Sequence, residues 1–517
     1  MTETPTIIIG AGIGGLASAA LLSARGVPVV VLEKDHSPGG KIRQLPVGDA
    51  EIDAGPTVFT MRPALEAIFV DAGARLEDHL TLTRADVLAR HAWDETGHLD
   101  LHADHETSVD AVGRFAGARA AAGFRSFSAE AKRIHDILDK PFLQGSKTYP
   151  PGLMWRIGLR RIGALLAIRP YESLWKVLGE HFDDPRLRQL FGRYTTYCGS
   201  APFHTPATLM LIAHVEAQGV WAIEGGMSAL AAALEGVARA NGARFRYGAN
   251  ATWIPTRGGR VIGVGLESGE VMETGSVICN ADPAALAKGL FGKSVARAVR
   301  PVPPAKRSLS AMVWLAKART SGFPLNHHNV FFSPDYPREF AEIAQGRVPS
   351  APTAYVCALD RGAGAVPDGP ERLQVIVNAP ANGDTHSYGP EERERCTSTM
   401  LERLQACGLE LETPLPHALV TPSDFSTRFP ATGGALYGRA SHGWAASFLR
   451  PGSRTAIHGL YCAGGATHPG AGVPMAALSG RLASEAVLHD RASTRWYHRK
   501  ATAGGMSMRS ANAAPTG

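Results

Sequence analysis

The sequence predicts an α/β protein built around a Rossmann-like dinucleotide-binding domain into which a second lobe is inserted. A glycine-rich strand–helix–strand unit opens the chain, a β-branched strand follows at residues 276–279, and a second glycine-rich strand–turn–helix occupies residues 461–480. Turns of this kind expose backbone N–H groups to the phosphates of a ligand. The 517 residues, of which 44% are hydrophobic, suffice for two or three domains with a sizeable core.

The opening stretch TIIIGAGIGGLASAALLSARGVPVVVLEKD predicts a complete βαβ unit. The β-branched run Thr6–Ile9 predicts the first strand, and the alanine- and leucine-rich run Leu16–Arg25 predicts a helix. Gly26 stands where a glycine commonly ends a helix, and Val29–Leu32 predicts the second strand. A glycine motif alone is weak evidence, but here strand, helix and second strand agree with it.

Each position of the glycine motif has a physical task. Gly10 permits the tight turn, Gly12 lets the backbone approach a pyrophosphate, and Gly15 lets the helix pack closely on the strand. Glu33, at the end of the second strand, is suited to accept hydrogen bonds from a ribose diol. This unit alone leaves open whether the ligand is NAD or FAD.

The next stretch, SPGGKIRQLPVGDAEIDAGPTVF, adds two glycine turns and two cations directly after that acid. Beside a pyrophosphate site they are suited to hold an extended dinucleotide, although a pair of ordinary surface turns explains them equally well. Nicotinamide enzymes usually continue here with a second βαβ crossover, which this stretch lacks. The residues concerned are Gly39, Gly40, Lys41, Arg43, Asp53, Gly55, Pro56 and Thr57.

Three motifs together give the chain a resemblance to a known family. The GxGxxG unit, the GGK turn with its DAGPT continuation, and the run GATHPGAGVPMAALSG resemble the bacterial carotenoid desaturases of the phytoene-desaturase type, FAD-dependent flavoproteins related to amine oxidases. The resemblance spans roughly residues 5–490, and its C-terminal motif is the most specific part. The stretch YTTYCGSAPFHTPATLMLIAHVEAQGVWAIEGGM, residues 194–227, is most similar to the hydroxycarotenoid 3,4-desaturases, also called methoxyneurosporene desaturases.

The resemblance implies FAD as the cofactor and a long apolar carotenoid as the substrate, desaturated by hydride transfer to the flavin. It implies a 3,4-desaturation of acyclic 1-hydroxy or methoxy carotenoids such as hydroxyneurosporene. The late glycine run then forms the far wall of the same FAD site. No catalytic residue is identified, because the flavin accepts the hydride. The predicted cofactor-binding residues are Gly10, Gly12, Ile13, Gly14, Gly15, Glu33, Lys34, Gly40, Lys41, Gly55, Pro56, Thr57, Gly464, Gly465, Val473, Pro474 and Met475.

The pattern divides the chain into five structured segments and a tail. Segments 1–70, 221–290 and 456–490 are predicted to form the FAD-binding domain. Segments 71–220 and 291–455 are predicted to form an α+β substrate lobe, of which the first is helical and faces a membrane. Residues 491–517 lose apolar periodicity and are predicted to be disordered.

A basic segment with interleaved aromatic residues favours contact with a membrane surface. PPGLMWRIGLRRIGALLAIRPYESLWKVL, residues 150–178, combines Trp155 and Trp175 with five cations and one acid, Glu172. A helix lying in the headgroup plane has this pattern, although a core-packed helix with a solvated basic face has it too. The family resemblance favours the membrane interpretation, because such enzymes draw lipid-soluble substrates from a bilayer.

Composition narrows the partners and the compartment. The net charge of +6 without a block of like charges does not indicate a nucleic-acid partner, and six scattered cysteines without a CxxC pair are typical of a reducing compartment. We find no signal-peptide pattern, no apolar run long enough to span a bilayer, and no metal motif such as HExxH. We expect a cytoplasmic protein without a metal, associated peripherally with the inner or photosynthetic membrane, with oxygen or a quinone as electron acceptor.

Several alternatives stay open at this point. Phytoene desaturase proper, a carotenoid isomerase that uses reduced FAD, and a flavin-free prenyl or lipid carrier of the same fold each fit part of the pattern. The intact glycine motif and Glu33 favour a working cofactor site over a carrier. The stretches TLMLIAHV and SAMVWLA are candidate tunnel walls, although ordinary core explains them equally well. The adjacent pair His327 and His328 is explained by an exposed loop as well as by a ligand role.

Overall fold

A five-stranded parallel sheet joins strands from three distant parts of the chain. A computed structural model describes residues 4–158, 163, 167–412, 415 and 417–503. The strand order in this sheet is β23-β15-β1-β2-β9. In chain order the strands are β1 (Thr6–Ile9), β2 (Val29–Leu32), β3 (Gln44–Val47), β4 (Ala50–Asp53), β5 (Leu82–Arg84), β6 (Val87–Ala92), β7 (His98–His102), β8 (Trp221–Ile223), β9 (Arg244–Arg246), β10 (Ala251–Trp253), β11 (Thr256–Arg257), β12 (Arg260–Val261), β13 (Gly263–Leu266), β14 (Val271–Glu273), β15 (Val277–Cys279), β16 (Ser310–Ala318), β17 (Thr320–Ser321), β18 (His328–Phe331), β19 (Ala354–Ala358), β20 (Glu371–Ala379), β21 (Glu410–Leu411), β22 (His417–Val420) and β23 (Leu460–Cys462).

Helices pack on both sides of this sheet and on the neighbouring lobe. In chain order they are α1 (Ile13–Ala24), α2 (Arg62–Asp71), α3 (His105–Ala116), α4 (Ala118–Leu138), α5 (Pro150–Ile157), α6 (Leu174–His181), α7 (Pro185–Gly192), α8 (Leu211–Ala217), α9 (Met227–Ala240), α10 (Pro283–Ala287), α11 (Tyr336–Ala344), α12 (Pro390–Gln405), α13 (Pro422–Arg428), α14 (Ala446–Leu449) and α15 (Val473–Ala503).

Helix α1 is the central helix of the nucleotide-binding half. Its small, apolar residues are buried from Ile13 to Ser23, and it packs against both α9 and α15. The helix starts at Ile13, three residues before the predicted start at Leu16, so Gly14 and Gly15 lie inside it. Glycine at these places lets two helices and a strand come within backbone distance.

A seven-stranded sheet forms the core of the second lobe. Its order is β22-β16-β20-β19-β18-β6-β7, so the hairpin β6–β7 from the first inserted segment completes a sheet whose other strands follow residue 300. Segment 71–220 was predicted to be helical. It contributes this hairpin as well as helices α3 to α8, and the side chains of β7 alternate between buried and more exposed as those of strands do.

The end of the chain differs in part from the sequence prediction. Helix α15 continues to Ala503, whereas disorder was predicted from residue 491. Residues 504–517 lie outside the described residues.

The basic segment 150–178 also differs from the expected single helix. Two short helices, α5 and α6, occupy its ends, and Gly158 closes α5 with φ +97°, a conformation that glycine adopts without strain. Leu159, Arg160, Arg161, Leu165 and Leu166, on which part of the membrane prediction rests, lie outside the described residues. Among the described residues, no helix is both long and apolar enough to cross a bilayer.

The packing of α1 on β1 generates a stability prediction. A Cβ atom at Gly15 would lie 2.1 Å from the carbonyl oxygen of Gly10, which is backbone and cannot move aside cheaply. We expect Gly15→Ala to cost about 1–3 kcal/mol of stability through overpacking. Thermal unfolding of the FAD-free protein measures this loss.

A helical glycine in open space provides the matched control. Gly236 lies in α9 with no heavy atom within 4 Å of a built Cβ, so Gly236→Ala is expected to stabilise by up to about 1 kcal/mol. Equal melting temperatures for the two variants would contradict the close packing of α1 on β1.

Candidate functional site

One large cavity joins the two halves of the protein. Its volume is about 760 Å³, which lies within the roughly 300–1,000 Å³ typical of ligand pockets. Its wall runs from the glycine turn after β1 to the inner strands of the seven-stranded sheet. Every predicted cofactor-binding residue except Gly15 lines this cavity, and Gly15 packs instead against the carbonyl of Gly10.

The first turn of α1 forms a backbone cradle at one end of the cavity. Gly12 is the N-cap residue and its helix has no side-chain cap, so the N–H groups of the first turn are not occupied by a capping side chain. A Cβ at Gly12 would lie 2.8 Å from Asn280 Nδ2, and a Cβ at Gly14 would lie 2.6 Å from Asn280 Oδ1. Asn280 Oδ1 is buried and has no hydrogen-bond partner among the described residues, so it keeps its acceptor capacity at this end of the cavity.

Glu33 closes the end of β2 beside this cradle. Its Oε2 accepts a hydrogen bond from the N–H of Ala11 at 2.6 Å, and its Oε1 accepts one from the N–H of Asp35 at 3.0 Å. The side chain is 6% exposed and lines the cavity. The two backbone donors fix the carboxylate in place while leaving it acceptor capacity for a ligand hydroxyl.

The GGK and DAGPT stretches form one structural unit. A Cβ at Gly55 would lie 2.0 Å from the carbonyl oxygen of Lys41, so only glycine permits this approach. Gln374 of β20 donates from Nε2 to the carbonyls of Asp53 (2.7 Å) and Gly55 (2.9 Å). Asp53 Oδ2 in turn accepts from the N–H of Met227 at the start of α9. Ordinary surface turns do not explain these contacts.

Two buried cations stand near this unit. Lys41 Nζ donates to the carbonyl of Leu436, and Arg450 donates to the carbonyl of Tyr437 at 2.8 Å. Burial lowers the pKa of Lys41, an effect that the nearby Asp282 carboxylate opposes, and burial also lowers the pKa of Arg450. Both side chains line the cavity, so they place positive charge there. A bound pyrophosphate would offset the free-energy cost of burying that charge.

At the cofactor end of the cavity, sequence reasoning missed Asn280, Asp282 and Arg450. Asn280 and Asp282 follow β15, at the carboxyl end of a parallel strand next to β1, where open α/β sheets bind ligands. That position was a usable signal. Arg450 lies in a loop far along the chain, and no local sequence pattern predicts its place in the cavity.

The late glycine run lies against the first one. Gly464 has φ +113° and donates its N–H to Ser479 Oγ at 2.7 Å, and a Cβ at Gly14 would lie 2.7 Å from that same Gly464 nitrogen. Helix α15 begins at Val473 with Pro474 in its first turn, and both residues line the cavity. The two glycine runs therefore bound one site rather than two.

The opposite part of the cavity is largely apolar. Both candidate wall stretches contribute to it, TLMLIAHV through Leu209, Leu211, Ile212 and Val215, and SAMVWLA through Ala311 and Val313. Four polar side chains interrupt this apolar wall: Arg193, Tyr197, Glu216 and Tyr355. The arrangement joins a backbone cradle for a dinucleotide to a chamber for a long apolar molecule.

The histidine pair does not line the cavity but adjoins it through Tyr355. The explanation of His327 and His328 as an exposed loop is wrong, because His328 begins β18 and is 3% exposed. Their ring nitrogens and Cys357 Sγ lie within 4.8 Å of one another. His328 Nδ1 is engaged with Tyr355 Oη at 2.7 Å, and His327 Nδ1 with the carbonyl of Ala358 at 2.9 Å.

Comparison with known proteins agrees with this geometry. The sequence profile of the family described as flavin containing amine oxidoreductase matches residues 13–488. Hydroxyneurosporene desaturase of Rubrivivax gelatinosus is 49% identical over 98% of this chain and 97% of its own. The zeta-carotene-forming phytoene desaturase of Myxococcus xanthus is 33% identical over 98% and 97%.

A solved structure shows the same fold. An oxidoreductase from Methanosarcina mazei superposes with a TM-score of 0.60 at 18% identity, covering 94% of this chain and all of its own. The chain therefore belongs to the flavin containing amine oxidoreductase family and, within it, to the group that contains the hydroxyneurosporene desaturases.

Proposed function

We propose that the protein is an FAD-dependent desaturase of carotenoid biosynthesis that introduces a C–C double bond at the 3,4 position of acyclic 1-hydroxy or 1-methoxy carotenoids. The observation that carries the proposal is the single cavity, which joins the glycine cradle to the apolar chamber. The 49% identity to a hydroxyneurosporene desaturase, against 33% to a phytoene desaturase, supports the hydroxylated substrate.

The cradle residues fit FAD, which when bound supplies the hydride acceptor. The first turn of α1, with its unoccupied N–H groups, binds the pyrophosphate, and the buried cations Lys41 and Arg450 stabilise its charge. Glu33 accepts hydrogen bonds from the ribose hydroxyls. The N-terminus of α15 at Val473 directs its positive dipole end into the cavity, where it favours negative charge.

The apolar chamber performs the other half of the task. Its wall residues exclude water and hold an extended polyene in one line, so that a single C–C bond is presented for dehydrogenation. A carotenoid gains about 0.8 kcal/mol for each buried CH₂ group, which makes transfer through water very unfavourable. The chamber must therefore open towards the lipid that holds the substrate.

We infer that the chamber opens at a membrane-facing rim of aromatic side chains. Trp444 lines the cavity and is 47% exposed, so the cavity reaches the surface there. Tyr171 packs on Trp444 with 5.9 Å between ring centroids, and Tyr171 and Trp155 are more than 70% exposed. Exposed aromatic side chains with apolar bodies suit the headgroup region of a bilayer.

The described cations of this segment contribute less than the sequence suggested. Arg169 is paired with Glu172 and Glu180, and Lys176 is paired with Glu172. Arg156 donates to the carbonyl of Ser146 at 2.6 Å. The proposed membrane contact therefore rests on insertion of aromatic side chains into the headgroup region of the bilayer rather than on unpaired positive charge.

The substrate assignment is tested by offering carotenoids singly. Purified protein with FAD receives liposomes that hold hydroxyneurosporene, neurosporene or phytoene, and products are followed by the red shift of polyene absorbance. We expect efficient conversion of hydroxyneurosporene. Conversion of phytoene alone would assign the protein to phytoene desaturation.

The ribose contact of Glu33 generates a second prediction. We expect Glu33→Ala to weaken FAD binding roughly ten- to a hundredfold, because hydrogen bonds to a charged group contribute about 1.5–3 kcal/mol. Titration of FAD-free protein by flavin fluorescence measures the change. Glu51→Ala, at an exposed position of β4, serves as the control and should bind FAD as the wild type does. Wild-type affinity in Glu33→Ala would overturn the placement.

The membrane rim generates a third prediction. We expect the double variant Trp155→Gln and Tyr171→Gln to lose most co-flotation with liposomes, since two large exposed aromatic side chains no longer enter the headgroup region. Val366→Gln removes an exposed apolar side chain that does not line the cavity and should float as the wild type does. Unchanged flotation of the double variant would contradict the proposed rim.

A further inference from the structure

A polar cluster sits in the wall of the apolar chamber and is not used by the cofactor site. We define it as Arg193, Tyr197, Glu216 and Tyr355, all of which line the cavity. The Arg193 guanidinium lies over the rings of Tyr197 and Tyr355, at 5.2 and 5.3 Å from their centroids. Because buried polar groups cost free energy unless they are hydrogen-bonded, the donors and acceptors left unused within the cluster decide what it can bind.

Internal hydrogen bonds hold the cluster rigidly. Glu216, 5% exposed in α8, accepts hydrogen bonds from Tyr194 Oη at 2.6 Å and Tyr197 Oη at 3.0 Å. Arg193 donates to Tyr197 Oη at 3.1 Å. Burial raises the pKa of Glu216, an effect that the two tyrosine hydroxyls oppose. The group is preorganised before any substrate enters.

Arg193 retains unused donor capacity. A guanidinium carries five N–H donors, and the hydrogen bond to Tyr197 is its one contact of this kind within the described part of the chain. The side chain lines the cavity and keeps part of its surface accessible. Its remaining N–H groups are therefore available to donate to a ligand in the cavity.

The cluster is connected to the DAGPT turn of the cofactor site. Tyr355 Oη lies 2.8 Å from Thr57 Oγ1, and Thr57 belongs to that turn. The guanidinium of Arg193 is therefore separated from the turn by a single tyrosine ring. A substrate oxygen held by Arg193 would therefore lie one tyrosine ring away from the DAGPT turn.

We propose that the polar cluster binds the oxygen atom at C1 of the carotenoid and so sets the preference for hydroxylated over hydrocarbon substrates. This inference rests on the proposed desaturase function. In a 1-hydroxy carotenoid a single carbon separates C1 from the 3,4 bond, which matches an oxygen site next to the DAGPT turn. Arg193 donates to a hydroxyl or a methoxy oxygen alike, whereas Glu216 can accept only from a hydroxyl.

The test compares two carotenoids that differ at this end of the molecule. Holoenzyme is offered hydroxyneurosporene or neurosporene in liposomes, and kcat/KM and the dissociation constant are measured for each. Quenching of protein fluorescence by the polyene reports binding independently of turnover. We expect Arg193→Leu to reduce the preference for hydroxyneurosporene roughly ten- to a hundredfold while neurosporene binding is kept or improved.

A matched pair of tyrosine variants separates recognition from structure. Tyr197→Phe removes the hydroxyl that joins Arg193 to Glu216, at a residue that lines the cavity, and Tyr194→Phe removes the other hydroxyl on Glu216, at a residue that does not. We expect the first to reduce the preference and the second to leave it unchanged. Arg193→Lys, which keeps the charge, should restore part of the preference lost in Arg193→Leu.

Each outcome decides between the alternatives. A preference unchanged in Arg193→Leu, or lost equally in both tyrosine variants, overturns the inference while the desaturase function stands. A change in FAD affinity or flavin spectrum without a change in preference assigns Arg193 to the cofactor and also overturns it. If the wild type oxidises neither carotenoid, the proposed function fails, and the ratio of dissociation constants still decides whether the cluster reads the oxygen.

Discussion

Close approach between backbones, which only glycine permits, is the constraint on which the nucleotide-binding half depends. Gly15 brings α1 onto the carbonyl of Gly10, and a Cβ at Gly480 of α15 would lie 2.2 Å from the carbonyl of Gly14. The contact between Gly14 and Gly464 joins the first and last glycine runs. Because these approaches all meet at one helix end, three distant segments close around a single cavity.

The second lobe fixes the part of the cofactor site that the first sheet does not reach. Gln374 holds the carbonyls of Asp53 and Gly55 from β20, and Arg428 pairs with Asp35 at 2.6 Å just beyond Glu33. The conformation of the turns after β2 therefore depends on contacts with the second lobe. Side chains of the sheet in that lobe also line the apolar chamber. The strands that position the turns of the cofactor site also line the apolar chamber. One cavity therefore serves both the cofactor and the substrate.

The predictability of each feature follows from the range of the interactions that form it. The glycine positions and Glu33 were visible in the sequence because turn geometry and strand ends depend on neighbouring residues. Sheet membership of β6 and β7 was missed, since a hairpin inside a helical segment pairs with strands that follow it by more than two hundred residues. The polar cluster was missed for the same reason, because Arg193 and Tyr355 meet only through tertiary packing. The pairing of Arg169 with Glu180 could not be predicted from the basic stretch, because Glu180 lies outside it.

The order of strands in the parallel sheet has a consequence for synthesis of the protein. Strand β23, at residues 460–462, pairs with β15 near the middle of the chain, and α15 covers α1 at its beginning. During translation β1 can pair with β2 and β15 once residue 279 has emerged, whereas α1 lacks its cover by α15 until nearly the whole chain has left the ribosome. The far wall of the cavity is therefore completed last, and a premature stop before residue 460 leaves β15 as the edge strand and removes Gly464 and Val473 from that wall.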